Sequence, residues 1–245
     1  MHMRIYIPPE DIEKQQGIKL NADKSHYLTF VLRCKRGDRI SVVDGKGKAC
    51  EAEIVEISKK HVFINILSET ALDTESALNL ILCQGIPKGE KMDMVVQKAT
   101  ELGVKEIIPL ITERCVVKET RKVKRWQKIA EEAAEQCGRT IIPTVHEPVE
   151  FRLLFTVHCS QQMNGFIFWE EGGLSLKDAI SKLAIHPSTY SPIHLLVGPE
   201  GGFTSEEVKL AEDHGFIRTT LGKRTLRAET AAIVSVALVQ FLLES

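Results

Sequence analysis

From residue 78 onward the sequence alternates between short apolar runs and amphipathic segments, and this alternation constrains the fold more than any other feature. Residues 78–86 and 106–111 are mostly apolar runs typical of buried strands. Between them, residues 92–102 repeat apolar side chains at the three- and four-residue spacing of one helical face and stop at Gly103. Strands that alternate with helices predict an α/β domain with a mostly parallel sheet.

The same reading predicts further strands and helices in this region. Thr204 and Glu207 have the spacing of a capping box, so a helix is expected to begin at 204 and to end before Gly215. The predicted strands are 78–86, 106–111, 165–169, 194–197 and 216–221, and the predicted helices are 92–102, 123–137, 175–183, 204–214 and 229–243.

The N-terminal region has a different pattern. Runs at 4–7 and 39–44 have high β propensity, and apolar residues alternate with polar ones at 50–54 and 62–66. One short helix is expected at 26–32, and the polar stretch 68–77 is interpreted as a linker. We therefore expect two domains, a small β-barrel at 1–72 and an α/β domain at 73–245.

Composition narrows the class of protein. The chain has 245 residues and a formal net charge of -1, which excludes a uniformly basic nucleic-acid coat but not a local basic face. Its six cysteines form no C-x-x-C pair, so neither a disulfide framework nor a metal site is expected. The N-terminal residues show no signal-peptide pattern, whether the native chain starts at Met1 or at Met3. No apolar segment is long enough to span a bilayer. A soluble, cytoplasmic protein is expected.

Two segments near the C-terminus carry the functional signal. The first, IHLLVGPEGG at 193–202, is an apolar run that ends in a glycine-rich turn, and the second is LGKRTLRAETAA at 221–232. Glycine has no Cβ and tolerates positive φ, so such a turn lets backbone approach a ligand closely. Ligands of open α/β sheets bind beyond the carboxyl ends of the strands, where both segments fall. We therefore predict one small molecule held between two backbone loops, although GPEGG alone could be only a tight strand-to-helix turn.

The chemistry of the loops indicates which ligand. The chain has neither a dinucleotide-binding G-x-G-x-x-G after its first strand nor a phosphate-binding P-loop. Glu200 lies inside the glycine turn, where its carboxylate would repel a triphosphate. A cationic ligand without phosphates, such as S-adenosylmethionine, fits better. Lys223, Arg224 and Arg227 in the second loop predict an anionic second substrate, unless this loop is only a solvated surface.

These motifs resemble those of a known family. GPEGG followed by LG-x-x-x-LRAETA is similar to the cofactor-binding end of the SPOUT methyltransferases, and more narrowly to the bacterial small-subunit ribosomal RNA uridine-N3 methyltransferases. The resemblance covers nearly the whole chain. Its further matches are His26, Val31-Leu32-Arg33, Gly37-Asp38, Asp44-Gly45, Lys88, the run 97–103, Thr112-Glu113-Arg114, Glu132-Ala133, Gln136, Arg139 and Pro143. Cys137 and Leu226 depart from the pattern, which has Ser and Ile there.

The resemblance implies a fold, a reaction and partners. It implies a PUA-like RNA-binding β-barrel, a SPOUT domain whose C-terminal chain forms a trefoil knot, and a homodimer. It also implies that S-adenosylmethionine methylates N3 of a decoding-centre uridine in the 16S rRNA of the small ribosomal subunit, with no metal and no membrane. The residues expected to hold the cofactor are Leu196, Gly198, Glu200, Gly201, Gly202, Leu221, Gly222, Leu226 and Thr230, and Gly201→Val is expected to abolish its binding.

Methylation at N3 requires loss of a proton from uracil, so a base or cationic groups that stabilise the uracil anion are needed. Within the resembling motifs the catalytic candidates are Arg227, Arg139, Glu229 and Arg114. We expect Arg227 and Arg139 to hold a phosphate or the developing anion, and the base stays open among the candidate carboxylates, which include Glu113.

A run of basic residues suggests where RNA binds. Between Arg114 and Lys128 there are seven basic residues and one acidic residue, Glu119. Such a run could also be an ordinary solvated helix face. The predicted RNA-binding residues are Arg33, Arg114, Lys118, Arg121, Lys122, Arg125 and Arg139.

Two other functions fit the same sequence. A SPOUT methyltransferase could instead modify another RNA position, such as a ribose 2′-hydroxyl in transfer RNA. The chain could also be a non-catalytic RNA-binding assembly factor that keeps the fold, although such a factor would not need the two glycine loops.

Overall fold

The computed structural model of the chain describes residues 4–58, 61–72, 74–157, 164–183 and 192–244. They form two compact units. Unit 1 comprises the residues up to Glu75 together with Ala134–Ile142, and unit 2 comprises Ser76–Ala133 together with the residues from Pro143 onward. Met3 and Cys159, one of the six cysteines, lie outside the described residues.

Unit 1 is built on a five-stranded sheet. Its strands are β1 (Arg4–Tyr6), β2 (Ile18–Lys19), β3 (Arg39–Val43), β4 (Ala49–Ile57) and β5 (Val62–Thr70), in the spatial order β1-β3-β4-β5-β2. The β1–β3 pair is parallel, and the other three described pairs are antiparallel. Cys50, Ala52 and Ile54 are buried, whereas Glu51 and Glu53 between them are partly exposed, so the predicted alternation of β4 is confirmed.

Unit 1 also contains short helices, and here one prediction needs correction. α1 spans Pro9–Glu13, and α2 spans Ala22–His26. The helix predicted at 26–32 is not an α-helix: Tyr27–Val31 forms a π-helical turn, in which Leu32 N–H donates to Tyr27 O at 3.0 Å. Residues 68–70, predicted to belong to a linker, extend β5 instead.

Unit 2 has the predicted alternation of strands and helices. Its elements in chain order are β6 (Leu80–Gly85), α3 (Lys91–Glu101), β7 (Glu106–Ile111), α4 (Val123–Cys137, whose last residues belong to unit 1), β8 (Thr144–Val145), β9 (Val149–Glu150), α5 (Phe151–Val157), β10 (Asn164–Phe168), β11 (Leu174–Ser175), α6 (Leu176–Lys182), β12 (Ile193–Val197), α7 (Ser205–Asp213), β13 (Phe216–Thr220) and α8 (Ala228–Glu244).

The strands of unit 2 form one sheet in the order β11-β13-β10-β12-β6-β7-β8, with β9 also on β7, and every pair is parallel. The predicted α/β class with a parallel sheet and a small N-terminal β domain is therefore confirmed. β12 is buried along its whole length, as expected of a central strand with both faces covered. The trefoil knot stays a prediction.

A local sequence signal accounts for the start of α7. Thr204 caps α7: its side chain accepts a hydrogen bond from Glu207 N–H, and the Glu207 carboxylate accepts from Thr204 N–H at 2.9 Å. The predicted capping box is therefore present. Among the described residues, no helix is long and apolar enough to cross a membrane.

Candidate active site

The carboxyl ends of three neighbouring strands of unit 2 enclose a cavity of about 450 Å³. The loops that follow β10, β12 and β13 supply most of its wall, as expected for a parallel sheet. The lining residues are Lys91, Phe168, Trp169, Glu170, Val197, Gly198, Pro199, Glu200, Gly202, the run 220–228 and Ala231. The cavity therefore lies between the two loops that the sequence singled out.

The glycine turn after β12 is held against β6. Gly202 N–H donates to Pro199 O at 3.0 Å, and the side-chain amide of Gln84 donates to Gly198 O at 3.2 Å. A Cβ on Gly85 would lie only 2.6 Å from the backbone nitrogen of Pro199. Gly85, which the sequence analysis did not identify, is therefore needed for the close approach of this turn to β6.

Within the turn, Gly202 and Gly201 have different structural reasons for being glycine. Gly202 has φ of +68°, and a Cβ there would meet the carboxylate of Glu170, which also lines the cavity. Gly201 does not line the cavity; its missing side chain leaves room for Arg114, whose Nη1 donates to Gly201 O at 2.9 Å. The side chain of a Gly201→Val substitution would therefore press against Arg114, and its effect on cofactor binding stays a prediction.

Glu200 is held in place by two donors, one in the loop before α3 and one in the first residue of α3. Lys91 Nζ lies 2.7 Å from Glu200 Oε1, and Lys88 N–H donates to the same carboxylate at 3.1 Å. Burial raises the pKa of Glu200, but the hydrogen bonds from Lys91 and from backbone N–H groups, together with the positive charge of Lys91, outweigh burial and hold this pKa below its ordinary value. The hydrogen bond between Lys91 and Glu200 also raises the pKa of Lys91. Both shifts favour a charged pair on the cavity wall.

The second loop places cationic groups at the cavity. Lys223, Arg224 and Arg227 all line it and are exposed. Glu229 follows at the start of α8, with its carboxylate 3.9 Å from Lys91 and its side chain only 12% exposed. Its Oε2 has no hydrogen-bond partner among the described residues. One side of the cavity is thus cationic, and a partly buried carboxylate lies close by.

The structure brings most of the predicted cofactor residues together, but not all. Gly198, Glu200, Gly202, Leu221, Gly222 and Leu226 line the cavity. Leu196, a residue of β12, is fully buried in the core, and Thr230 is exposed on α8 outside the lining.

Arg139 has a different environment from the predicted one. It belongs to unit 1, is only 4% exposed, and donates through Nε and Nη2 to Glu75 at 3.2 and 2.8 Å. The N–H groups of Thr140 and Ile141 also donate to the Glu75 carboxylate. Arg139 therefore anchors its own segment, because a guanidinium buried in this way is not available to an RNA phosphate.

The predicted basic run is exposed, but much of it is engaged by protein. Lys118 donates to the carbonyl oxygens of Thr112 and Glu113, and Lys122 donates to that of Gly89. Arg125 pairs with Asp93 at 2.6 Å. Arg114, as described, reaches Gly201. Arg121 is exposed, and its side chain makes no hydrogen bond or ion pair among the described residues.

Lys91, Trp169 and Glu170 line the cavity, yet the sequence analysis did not select them. Lys91 opens the helix after β6, and Trp169 and Glu170 follow β10 directly. The rule that ligands bind beyond the carboxyl ends of parallel strands could have found all three, had it been applied to β6 and β10 as well. Among the described residues, no cluster of three potential metal ligands occurs.

Comparison with known proteins decides the family. A sequence family described as an RNA methyltransferase domain matches residues 74–240, and one described as an RNA methyltransferase PUA domain matches residues 20–67. The chain belongs to the RNA methyltransferase family. The methyltransferase domain thus contains the whole cavity, and the PUA domain contains most of the unit 1 sheet.

Curated members of this family match the present chain over nearly its full length. The proteins named ribosomal RNA small subunit methyltransferase E from Buchnera aphidicola (subspecies Acyrthosiphon pisum) and Bacillus subtilis are 35% and 30% identical to it. These alignments cover 97% and 98% of this chain and 92% and 96% of the relatives.

A solved structure has the same fold. Ribosomal RNA small subunit methyltransferase E from Neisseria gonorrhoeae, crystallised with bound S-adenosylmethionine, is 37% identical and superposes with a TM-score of 0.88. The match covers 99% of this chain and 98% of that one.

Proposed function

We propose that this protein transfers a methyl group from S-adenosylmethionine to N3 of a uridine in the 16S rRNA of the small ribosomal subunit, in the cytoplasm and as a homodimer. The cavity between the two loops of unit 2 carries the proposal. Its volume lies within the range of small-molecule sites, and its wall combines close backbone with carboxylates at Glu170 and Glu200. The relatives support the substrate, because they are named as small-subunit ribosomal RNA methyltransferases.

The lining residues fit S-adenosylmethionine chemically. The bare backbone of Gly198 and Gly202 leaves room for the ligand, and Leu221 and Leu226 supply apolar surface for its adenine. Glu170 lines the cavity with no ion pair recorded among the described residues, so it can take a cationic group of the ligand. When bound, S-adenosylmethionine supplies an electrophilic methyl group.

The cationic side of the cavity suits the acceptor. Uracil becomes nucleophilic at N3 only when its proton leaves, and the resulting charge spreads over O2 and O4. We assign Arg227 to stabilising that charge, since it lines the cavity and is held by no recorded ion pair among the described residues. Glu229 is the candidate proton acceptor because one of its carboxylate oxygens lacks a hydrogen-bond partner there. Lys91 keeps Glu200 fixed beside them.

The proposal is tested by the product. Small ribosomal subunits from a strain that lacks this gene would be incubated with the protein and tritiated S-adenosylmethionine, and the modified nucleoside identified by mass spectrometry. The proposal requires 3-methyluridine in 16S rRNA. A methylated ribose, or label only in transfer RNA, would refute the proposed target. Failure to bind S-adenosylmethionine in calorimetry would refute the cofactor and favour a non-catalytic RNA-binding factor.

A further inference from the structure

A surface of unit 1 that the proposed reaction does not use combines exposed aromatic and basic residues. We call it the Phe30 surface, and it consists of His26, Tyr27, Phe30, Val31, Arg33, Lys35 and Arg36. All seven are exposed, although they belong to one short, continuous segment. Phe30, Val31 and Tyr27 are 63%, 59% and 44% exposed, among the most exposed large apolar side chains of the described residues.

The backbone beneath this surface is unusual in two ways. It contains the π-helical turn Tyr27–Val31, and short π-helical segments are rare and frequent at functional sites. Arg33 then adopts φ of +56°, a left-handed conformation that costs a non-glycine residue about 1–2 kcal/mol. Glycine would close this turn without that cost. An arginine side chain is therefore held at a position where the backbone alone would favour glycine.

The turn fixes the exposed side chains in place. Leu28, in the middle of it, is fully buried in the unit 1 core, and Cys34 N–H donates to Leu28 O at 2.9 Å. Tyr27, Phe30 and Val31 all remain exposed around it. The rings of His26 and Phe30 also lie side by side, with centroids 4.8 Å apart. His26 and Phe30 therefore form an exposed aromatic pair, which with Tyr27 we call the aromatic platform.

The charge around the platform is positive. No ion pair of Arg33, Lys35 or Arg36 is recorded among the described residues, and the nearby Asp38 carboxylate accepts from Lys35 N–H. Three cations without acidic partners beside an aromatic platform match a polyanion with flat bases better than they match an apolar protein surface. Base–aromatic stacking and phosphate contacts by Arg and Lys are the two general means of binding single-stranded nucleic acid.

We propose that the Phe30 surface binds one unpaired nucleotide of the substrate RNA, with its base stacked on Phe30 and its phosphate held by Arg33. This inference rests on the proposed function for the identity of the RNA, but not for the binding itself. The surface would hold a single-stranded segment outside the cavity, and so would act on affinity for RNA rather than on methyl transfer.

The test compares binding of a fluorescein-labelled single-stranded oligouridine and of a perfect RNA duplex to the full-length protein by anisotropy. Phe30→Ala should weaken binding of the single strand about 10-fold or more, and Phe30→Trp should restore it, because stacking needs a ring and not phenylalanine itself. Duplex binding should change little. Leu67→Ala is the matched control, since Leu67 is also an exposed apolar residue of unit 1, at 43%.

Arg33→Gly separates the charge from the backbone. Glycine relieves the left-handed conformation, so thermal unfolding should show a stability equal to or above that of the original chain. Binding of the single strand should nevertheless weaken, and the slope of log affinity against log salt should fall by about 0.7. Unchanged affinity and slope would refute the phosphate contact.

A cross-link covers the case in which Phe30→Ala fails to fold. A 5-iodouridine oligonucleotide irradiated with the unaltered protein should cross-link to Phe30 or Tyr27, as identified by mass spectrometry. Equal affinities of Phe30→Ala and the original protein, or cross-links only elsewhere, would overturn the inference. A change in oligomeric state instead of RNA affinity would also overturn it and assign the surface to a protein contact. If the unaltered protein neither bound S-adenosylmethionine nor methylated RNA, the proposed function would be refuted, but the RNA-binding inference would not.

Discussion

At the scale of single residues, neighbouring charged groups of the cavity have different interaction partners. Lys91 is committed to Glu200, and the pKa of each is shifted so that both stay charged. Arg227 lines the cavity with this pair but forms no ion pair among the described residues. Arg227 is therefore the group best placed to respond to a substrate charge.

Replacing Arg227 by alanine should separate catalysis from cofactor binding. We expect Arg227→Ala to lower kcat on small ribosomal subunits about 100-fold, the scale of losing one group that stabilises a developing anion. Calorimetry should give an S-adenosylmethionine Kd close to that of the original protein. Lys209→Ala, on the exposed side of α7, is the control for general loss of positive charge. Full activity of Arg227→Ala would exclude the assigned role.

The second prediction at this scale concerns Gly202 and Glu170. Gly202→Ala places a Cβ where the Glu170 carboxylate lies and forces alanine into φ of +68°. We expect the free energy of unfolding to fall by about 1–2 kcal/mol from the backbone alone, measured by urea unfolding. Affinity for S-adenosylmethionine should also fall because Glu170 is displaced. The double variant Gly202→Ala/Glu170→Ala removes the collision, so its free energy of unfolding should fall only by the cost of the left-handed backbone. A larger fall in the double variant would contradict this account.

At the scale of elements, Glu75 ties the chain after α4 to unit 1. Its carboxylate accepts from the Arg139 guanidinium and from the N–H groups of Thr140 and Ile141. Burial raises the pKa of Glu75, but these hydrogen bonds and the charge of Arg139 outweigh it, so the pKa lies below its ordinary value of 4.5. The contact thus stabilises the folded state only while Glu75 is ionised.

The depressed pKa predicts a loss of stability in acid. Above pH 4.5 Glu75 is ionised in both the folded and the unfolded chain, and its stabilisation is fully present. As the pH falls through the lower folded-state pKa, the unfolded chain binds the proton more readily and the stabilisation disappears. Glu75→Gln should remove this part of the pH dependence, and Arg139→Ala should cost about 3 kcal/mol at pH 7. The free energy of urea unfolding, measured from pH 3 to pH 7, checks both; identical pH profiles for the original and Glu75→Gln proteins would contradict the assignment.

The elements also show what a sequence can and cannot predict. The bounds of β7 and α4 agree with the prediction, because β7 is a continuous apolar run typical of a buried strand and α4 is long and strongly periodic. The two-residue strands β8, β9 and β11 were missed, since two residues cannot show a period. The π-helical turn was predicted as an ordinary helix because its apolar residues also fit helical spacing.

The candidate site divides in the same way. The loops after β12 and β13 were visible as motifs, and both line the cavity. The pairing of Lys91 with Glu200 was not visible, because 109 residues separate them and only the folded sheet brings them together. The motif that contains Arg139 likewise said nothing about Glu75, which lies 64 residues earlier.

At the scale of the whole molecule, the mostly apolar helix α8 has one apolar side that is exposed. Ala232, Val236 and Val239 are buried, and Gln240 donates to Leu102 O at 2.8 Å. On another side, Leu238, Phe241 and Leu242 are 40%, 72% and 38% exposed. These three positions share one side of the helix because they are three and four residues apart. An exposed apolar cluster of this kind is a feature of protein interfaces.

We therefore expect the protein to be a homodimer that α8 helps to hold together, in agreement with the resemblance noted from the sequence. Phe241→Asp should convert the dimer to a monomer, since an unpaired charge in an apolar interface costs several kcal/mol. Light scattering after size-exclusion chromatography, at several protein concentrations, measures the mass directly. Leu153→Asp is the matched control, because Leu153 is a similarly exposed residue of α5, at 49%. A monomeric original protein at every concentration, or a Phe241→Asp variant that stays dimeric, would contradict this prediction and leave the exposed side of α8 without this role.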